Sequence, residues 1–219
     1  MIFFERHKIK FGSLKKTSVD LNTLMLNEEN AELIKIKSLQ RKNEFIGIRQ
    51  LRNELIPNKP IFYNSNGKPF VDKCDNHISV SHSSKSICLA ISRFPLGIDI
   101  EGIDERVLRI KTKYVNIEDK KYYRYNSVEE LTILWTIKEC LYKLHDIKGL
   151  SFKNDIRALS RNKNDHYFEV QTKNGIQKVT KMVSKRDPKS KPKSPEWAPK
   201  AIPKRCSKKT SKNDDFQDP

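Results

Sequence analysis

The apolar positions of this chain change period several times, and each change marks an element. Between residues 28 and 54, apolar and charged residues alternate at helical spacing, with Leu33, Ile36, Leu39, Phe45, Ile46, Ile48 and Leu51 on one stripe. That pattern predicts one or two amphipathic helices. Asn64-Ser65-Asn66-Gly67 is a turn cluster, followed directly by Lys68, Pro69 and Phe70. The period then drops to two. His77 to Ser81 alternates, Ile87 to Ile91 is a short apolar run and Leu96 to Glu101 is another, which predicts three closely spaced strands of an antiparallel or mixed sheet.

Helical spacing returns over Asp104 to Tyr114, with Val107, Ile110 and Tyr114 on one side. Ser127-Val128-Glu129-Glu130 has the S-x-x-E form of a capping box. In that motif Ser127 accepts from the Glu130 amide while the Glu130 carboxylate reaches back, so a helix is predicted to start near Val128. Its apolar stripe runs through Leu131, Leu134, Trp135, Cys140 and Leu141, and Gly149 closes it or the loop that follows. Strands are predicted from Ser151 to Leu159, His166 to Thr172 and Lys178 to Val183. From Ser184 onward, Pro188, Pro192, Pro195, Pro199 and Pro203 interrupt a Lys- and Ser-rich stretch. Residues 184–219 are therefore expected to form a disordered basic tail.

The chain has 219 residues, a hydrophobic fraction of 36% and a mean hydropathy of -0.72. This is enough for one sizeable domain, or two small ones sharing an interface. No apolar run reaches the roughly 20 residues needed to cross a bilayer, and Met1 to Phe4 followed by Glu5 and Arg6 lacks the order of a signal peptide. A soluble cytoplasmic protein without membrane attachment is the expectation. Cys74, Cys88, Cys140 and Cys206 are scattered and read as reduced thiols rather than metal ligands.

The formal net charge is +17, with 11 Lys or Arg against 5 Asp or Glu from Ser184 onward, so the part before the tail is itself basic. An anionic partner follows: nucleic acid, a membrane surface, a phosphorylated small molecule or an acidic protein. There is no RNP-like, helix-turn-helix or zinc-finger pattern, so nucleic acid is not expected.

Asp99 and Glu101 are two apart at the end of a predicted strand, which points both carboxylates to one face. They read either as a solvated strand face or as half of a cation site. Glu139 reads either as a surface residue pairing with Lys143 or as a third carboxylate completing an all-oxygen magnesium site. Trp135, Glu139 and Lys143 recur at i, i+4 and i+8, which stacks them on one face of the helix. That face suits either an ordinary amphipathic packing or a cleft in which Glu139 meets a metal and Lys143 a phosphate oxygen. Ser81-His82-Ser83 at a strand end is a candidate anion cradle. As a hydrolase pair it lacks a G-x-S-x-G elbow and an orienting acid.

Asn66-Gly67-Lys68-Pro69, Ile78-Ser79-Val80-Ser81-His82-Ser83, Gly97-Ile98-Asp99-Ile100-Glu101 and Trp135-Thr136-Ile137-Lys138-Glu139-Cys140-Leu141-Tyr142-Lys143 resemble, in order and at similar intervals, the four motifs of the surfactin-type 4′-phosphopantetheinyl transferases. The resemblance extends from about Glu28 to about Val183. It implies an α+β, pseudo-dimeric fold with two similar halves around a central cleft, here residues 1–95 and 96–183. It also implies Mg2+-dependent transfer of 4′-phosphopantetheine from coenzyme A to a serine of an apo acyl or peptidyl carrier protein, by a monomeric enzyme.

On that resemblance Asp99, Glu101 and Glu139 match the magnesium ligands. Ser81 and His82 match contacts to coenzyme A phosphates, Lys68 and Pro69 the nucleotide-binding turn, and Lys143 a phosphate-contacting lysine. Arg41, with Lys42 and Arg49 as alternatives, falls where the family places a basic residue toward the 3′-phosphate. Glu139, or a metal-bound water, accepts the proton of the carrier serine. An inactive relative that binds coenzyme A or a carrier protein is the competing reading. The family's second half usually ends with a further apolar strand, and here the sequence turns into the Lys/Pro tail, with Trp197 as a candidate to dock in its place.

Overall fold

The computed structural model describes residues 1–6, 8–162, 165–172 and 175–183. The chain opens with β1 (Ile2–Arg6) and β2 (Ile9–Lys15), a hairpin that the sequence pattern does not announce. Two helices follow, α1 (Asn27–Lys35) and α2 (Leu39–Leu55), and then the short strands β3 (Phe62–Tyr63) and β4 (Pro69–Phe70). β5 (His77–His82) and β6 (Ser86–Ser92) complete an antiparallel sheet in the order β1-β2-β6-β5.

β6 sits in the middle of that sheet and is covered on both faces, which is why its apolar residues run without alternation. Ile87, Leu89 and Ile91 join Leu14, Ile48 and Leu51 under α2. Cys88 and Ala90 point the other way and join Ile9, Phe11, Leu96, Ile98 and Ile100. α2 presents Phe45, Ile46, Ile48 and Leu51 inward as its spacing predicts, whereas Leu39, at its first turn, is exposed.

Residues 96–101 do not form the predicted strand. Their backbone N–H groups are taken by side chains instead of a neighbouring strand: Ile98 N donates to Ser79 Oγ at 3.0 Å and Ile100 N to Ser81 Oγ at 3.1 Å. Alternate serines of β5 thus act as rungs, and the segment lies along the sheet face without extending the ladder.

Beyond it, α3 (Arg106–Tyr114) and α4 (Val128–His145) pack with a second antiparallel sheet, β7 (Ile156–Asn162), β8 (Asp165–Thr172) and β9 (Gly175–Val183). Val107, Tyr114, Leu131, Leu134, Ile156 and Phe168 are among its core residues. Ser127 caps α4 by accepting from Glu130 N at 3.4 Å. The Glu130 carboxylate does not reach back, because Arg161 holds it in a two-point ion pair. α4 ends at His145 with Asp146 in the left-handed region, φ 51°, three residues before Gly149.

Lys138 is fully buried and anchors the inner side of α4. Its ammonium donates to the Tyr114, Phe152 and Ile156 carbonyls, each at 2.8 Å, and meets Asp119 Oδ2 at 2.5 Å. Burial pushes its pKa down to about 8 against the opposing pull of Asp119. Among the described residues Cys74, Cys88 and Cys140 are reduced thiols, and Cys88 Sγ donates to Ser13 Oγ at 3.6 Å. Among the described residues no helix is long and apolar enough to cross a membrane. The tail expectation, Cys206, Trp197 and the question of a further strand lie outside the described residues.

Candidate active site

α4 comes unusually close to the 96–101 segment, and Gly97 is what permits it. A Cβ placed there would stand 2.1 Å from the Cys140 carbonyl oxygen and 2.8 Å from Leu144 N. With hydrogen in that position, the acidic end of the segment faces the Glu139 and Lys143 side of α4.

A cleft of about 590 Å3 opens there. Lys68 and Pro69 line it from the turn before β4, and Ser81 and His82 from the end of β5. Asp99 and Glu101 contribute from the extended segment, and Glu139, Tyr142 and Lys143 from α4. The structure therefore brings together Lys68, Pro69, Ser81, His82, Asp99, Glu101, Glu139 and Lys143, whereas Arg41, exposed on the first turn of α2, and its alternatives Lys42 and Arg49 do not line the cleft. Arg49 is buried in an ion pair with Glu29, donates to the Ile61 carbonyl at 3.1 Å and packs on Phe45, so it is a structural cation.

Asp99 is the most constrained member. It is 5% exposed, and its Oδ1 accepts from Ser81 Oγ at 2.9 Å and Lys143 Nζ at 2.8 Å. Its Oδ2 is buried with no hydrogen-bond partner. A buried carboxylate oxygen without a partner is costly and calls for an explanation. Lys143 also donates to the Ile98 carbonyl at 3.1 Å. Burial alone would lower its pKa, but Asp99 outweighs that and holds the ammonium above its ordinary value.

The other two carboxylates respond to the crowding. Burial, then Asp99, then Glu101 push Glu139 up to about 7, with Lys143 opposing. Burial and Asp99 likewise raise Glu101, against the Trp135 indole N–H that donates to its Oε1 at 3.1 Å and Arg106 at 3.5 Å. Among the described residues no three His, Cys, Asp or Glu side chains are grouped as they would be around a metal ion. The three acids share one cleft wall, with Lys143 as the counter-charge on Asp99.

The opposite wall is basic and polar. His82 is half-exposed, and its Nδ1 lies 3.5 Å from Glu44 Oε1, which also meets Lys16 Nζ at 2.6 Å. Burial, with Lys16 and Lys143, holds the His82 pKa below its usual value although Glu44 pulls upward. Burial likewise lowers Lys68. Asn64 shapes its turn by accepting from Asn66 N and Lys68 N, each at 2.9 Å, with Gly67 at φ 78°. Asn64 and Asn66 then donate to the Asp146 carboxylate at 3.1 and 3.4 Å, tying the turn to the end of α4. Glu44, Lys16 and Asp146 carry no motif, and only the fold reveals them.

The model of the 4′-phosphopantetheinyl transferase superfamily matches residues 95–191 of this sequence, the stretch that supplies all three carboxylates and Lys143. Over those residues the chain is similar to the 4′-phosphopantetheinyl transferase superfamily. It is similar to the 4′-phosphopantetheinyl transferase gsp of Aneurinibacillus migulanus, 40% identical over 96 residues, which cover 40% of this chain and 39% of that protein. It is also similar to a 4′-phosphopantetheinyl transferase of Bacillus subtilis, 28% identical over 114 residues covering 50% of each. The alignments thus span half or less of these curated relatives.

Proposed function

We propose that this protein is a member of the 4′-phosphopantetheinyl transferase superfamily and transfers 4′-phosphopantetheine from coenzyme A to a serine of an apo acyl or peptidyl carrier protein, with Mg2+ at Asp99, Glu101 and Glu139. The observation that carries this reading is the buried, unpartnered Asp99 Oδ2 beside two carboxylates whose pKa values are pushed up. An all-oxygen donor set with that much unrelieved negative charge suits magnesium, with waters and substrate phosphate completing its shell. When bound, Mg2+ would neutralise charge developing on the diphosphate of the donor.

The chain's own groups cover the remaining needs. Lys68, Pro69 and His82 form the wall that receives the nucleotide and its phosphates, and Lys143 adds a cation beside the acidic cluster. Arg41 we keep as a candidate for the 3′-phosphate. The serine oxygen attacks the phosphorus on the pantetheine side, the phosphoanhydride bond breaks and 3′,5′-ADP leaves. Glu139, on the same cleft wall, is the candidate acceptor of the serine proton.

We read residues 1–95 and 96–183 as the two halves of a pseudo-dimer acting as a cytoplasmic monomer. Separate apolar clusters around Leu51 and Leu89 and around Leu134 and Phe168 support that division, while a third, joining Leu96, Ile98 and Ile100 to Phe11 and Ala90, crosses the boundary. The test is incubation with coenzyme A, Mg2+ and a panel of apo carrier proteins, reading carrier mass. A mass gain of one phosphopantetheine that chelator abolishes is expected. Coenzyme A binding without a mass gain on any carrier would instead identify an inactive binding relative.

A further inference from the structure

We propose that Ser81 is a positioning residue for Asp99, fixing that carboxylate so that a single oxygen, Oδ2, is offered to a divalent cation. The inference rests on the magnesium reading above and assigns the Ser81 side chain a task other than contacting coenzyme A.

The hydroxyl is 4% exposed as part of its residue and already engaged on both sides. It donates to Asp99 Oδ1 at 2.9 Å and accepts from Ile100 N at 3.1 Å, with Lys143 Nζ 3.4 Å away. One proton and the oxygen's accepting capacity are thereby committed to the segment that carries Asp99. Because Ile100 N and Asp99 Oδ1 hang on the same oxygen, Ser81 fixes both the backbone and the side-chain torsion of Asp99. Lys143 holds Oδ1 from the other side at 2.8 Å. Bidentate presentation of Asp99 is blocked, and Oδ2 is left buried and unpartnered. Groups that orient a ligating carboxylate in this way tune metal affinity without touching the metal.

Ser79 supplies an internal control. It is the preceding rung of the same strand face and accepts from Ile98 N at 3.0 Å, but the structure gives it no bond to Asp99. Removing either hydroxyl strips one backbone amide of its acceptor, and only Ser81→Ala also frees the carboxylate.

The experiment titrates Mn2+ into the full chain at fixed coenzyme A, read by electron paramagnetic resonance, with Mg2+ as competitor. Ser81→Ala is expected to weaken cation binding about 10- to 100-fold, the range for loss of an orienting partner. Ser79→Ala and Ser81→Thr stay within about 3-fold of wild type. Should Ser81→Ala fail to fold, Ser81→Cys keeps the volume with a weak donor and is expected to show the same loss. Unchanged cation binding in the Ser81 variants, or an equal loss in Ser79→Ala, overturns the proposal. Asp99→Asn separates the two readings: if it also binds Mn2+ normally, the magnesium site itself is wrong. If it alone loses the cation, only the role of Ser81 is wrong.

Discussion

Gly97 and the carbonyl of Cys140 are packed so closely that a methyl group at residue 97 would lie 2.1 Å from that oxygen. Both partners are backbone, so neither can swing aside. This contact brings the Asp99 strip to α4 and so creates the acidic wall of the cleft. Gly97→Ala is expected to lower the unfolding free energy by about 2 kcal/mol or more, as overpacked sites do. It should also separate Asp99 from Glu139. Urea unfolding of the variant measures the first effect, and a wild-type midpoint would show that the two segments are not held as described.

Lys138 is next to Glu139 in sequence but points into the core, where four acceptors surround it. Lys138→Ala leaves Asp119 as a buried charge without its counter-ion. Breaking a buried pair from one side costs about 3–5 kcal/mol. We expect a loss of that size in chemical denaturation, with Lys138→Met less damaging than Lys138→Ala because it refills the volume. An exposed-lysine-like loss of under about 1 kcal/mol would contradict the buried placement.

Much of this arrangement is readable before folding is considered. The S-x-x-E start places α4 correctly, and helical spacing puts Glu139 and Lys143 on one face. The D-x-E pair does lie beside them. What the pattern misses has physical causes. Segment 96–101 is apolar and β-like, yet its amide partners are serine hydroxyls, and strand signals do not reveal which acceptor an amide will use. Ile2 to Lys15 does not alternate cleanly because the adjacent aromatics Phe3 and Phe4 are both exposed on an edge strand. Arg49, one alternative for a phosphate contact, pairs instead with Glu29 from α1, a partner 20 residues earlier that spacing cannot supply.

His166 is 1% exposed, with its Nδ1 2.7 Å from the Tyr123 hydroxyl, and burial together with Arg161 pushes its pKa down to about 4. The folded state therefore holds fewer protons on this ring than the unfolded state, whose value is 6.5. Its stabilising contribution is complete above pH 6.5 and is lost as pH falls toward 4. Histidine NMR should show a ring that does not titrate until the pH approaches 4, while urea midpoints fall over the same window. Titration of that resonance near 6.5 would contradict the buried neutral state.

His82 faces the cleft with Glu44 behind it. His82→Ala is expected to raise the KM for coenzyme A about 10-fold with a smaller change in kcat, as loss of one hydrogen bond to a charged group would. An unchanged KM would make His82 a structural residue.

The central claim is that three carboxylates, distant along the chain, serve one divalent cation in the company of coenzyme A. Crystals grown with coenzyme A and MnCl2 test it directly through the anomalous signal of manganese. The account predicts one strong peak in the cleft, in contact with Asp99 Oδ2, Glu101 and Glu139 and with the diphosphate. A cleft filled by coenzyme A with no peak there, or a peak bound away from Asp99, would contradict it.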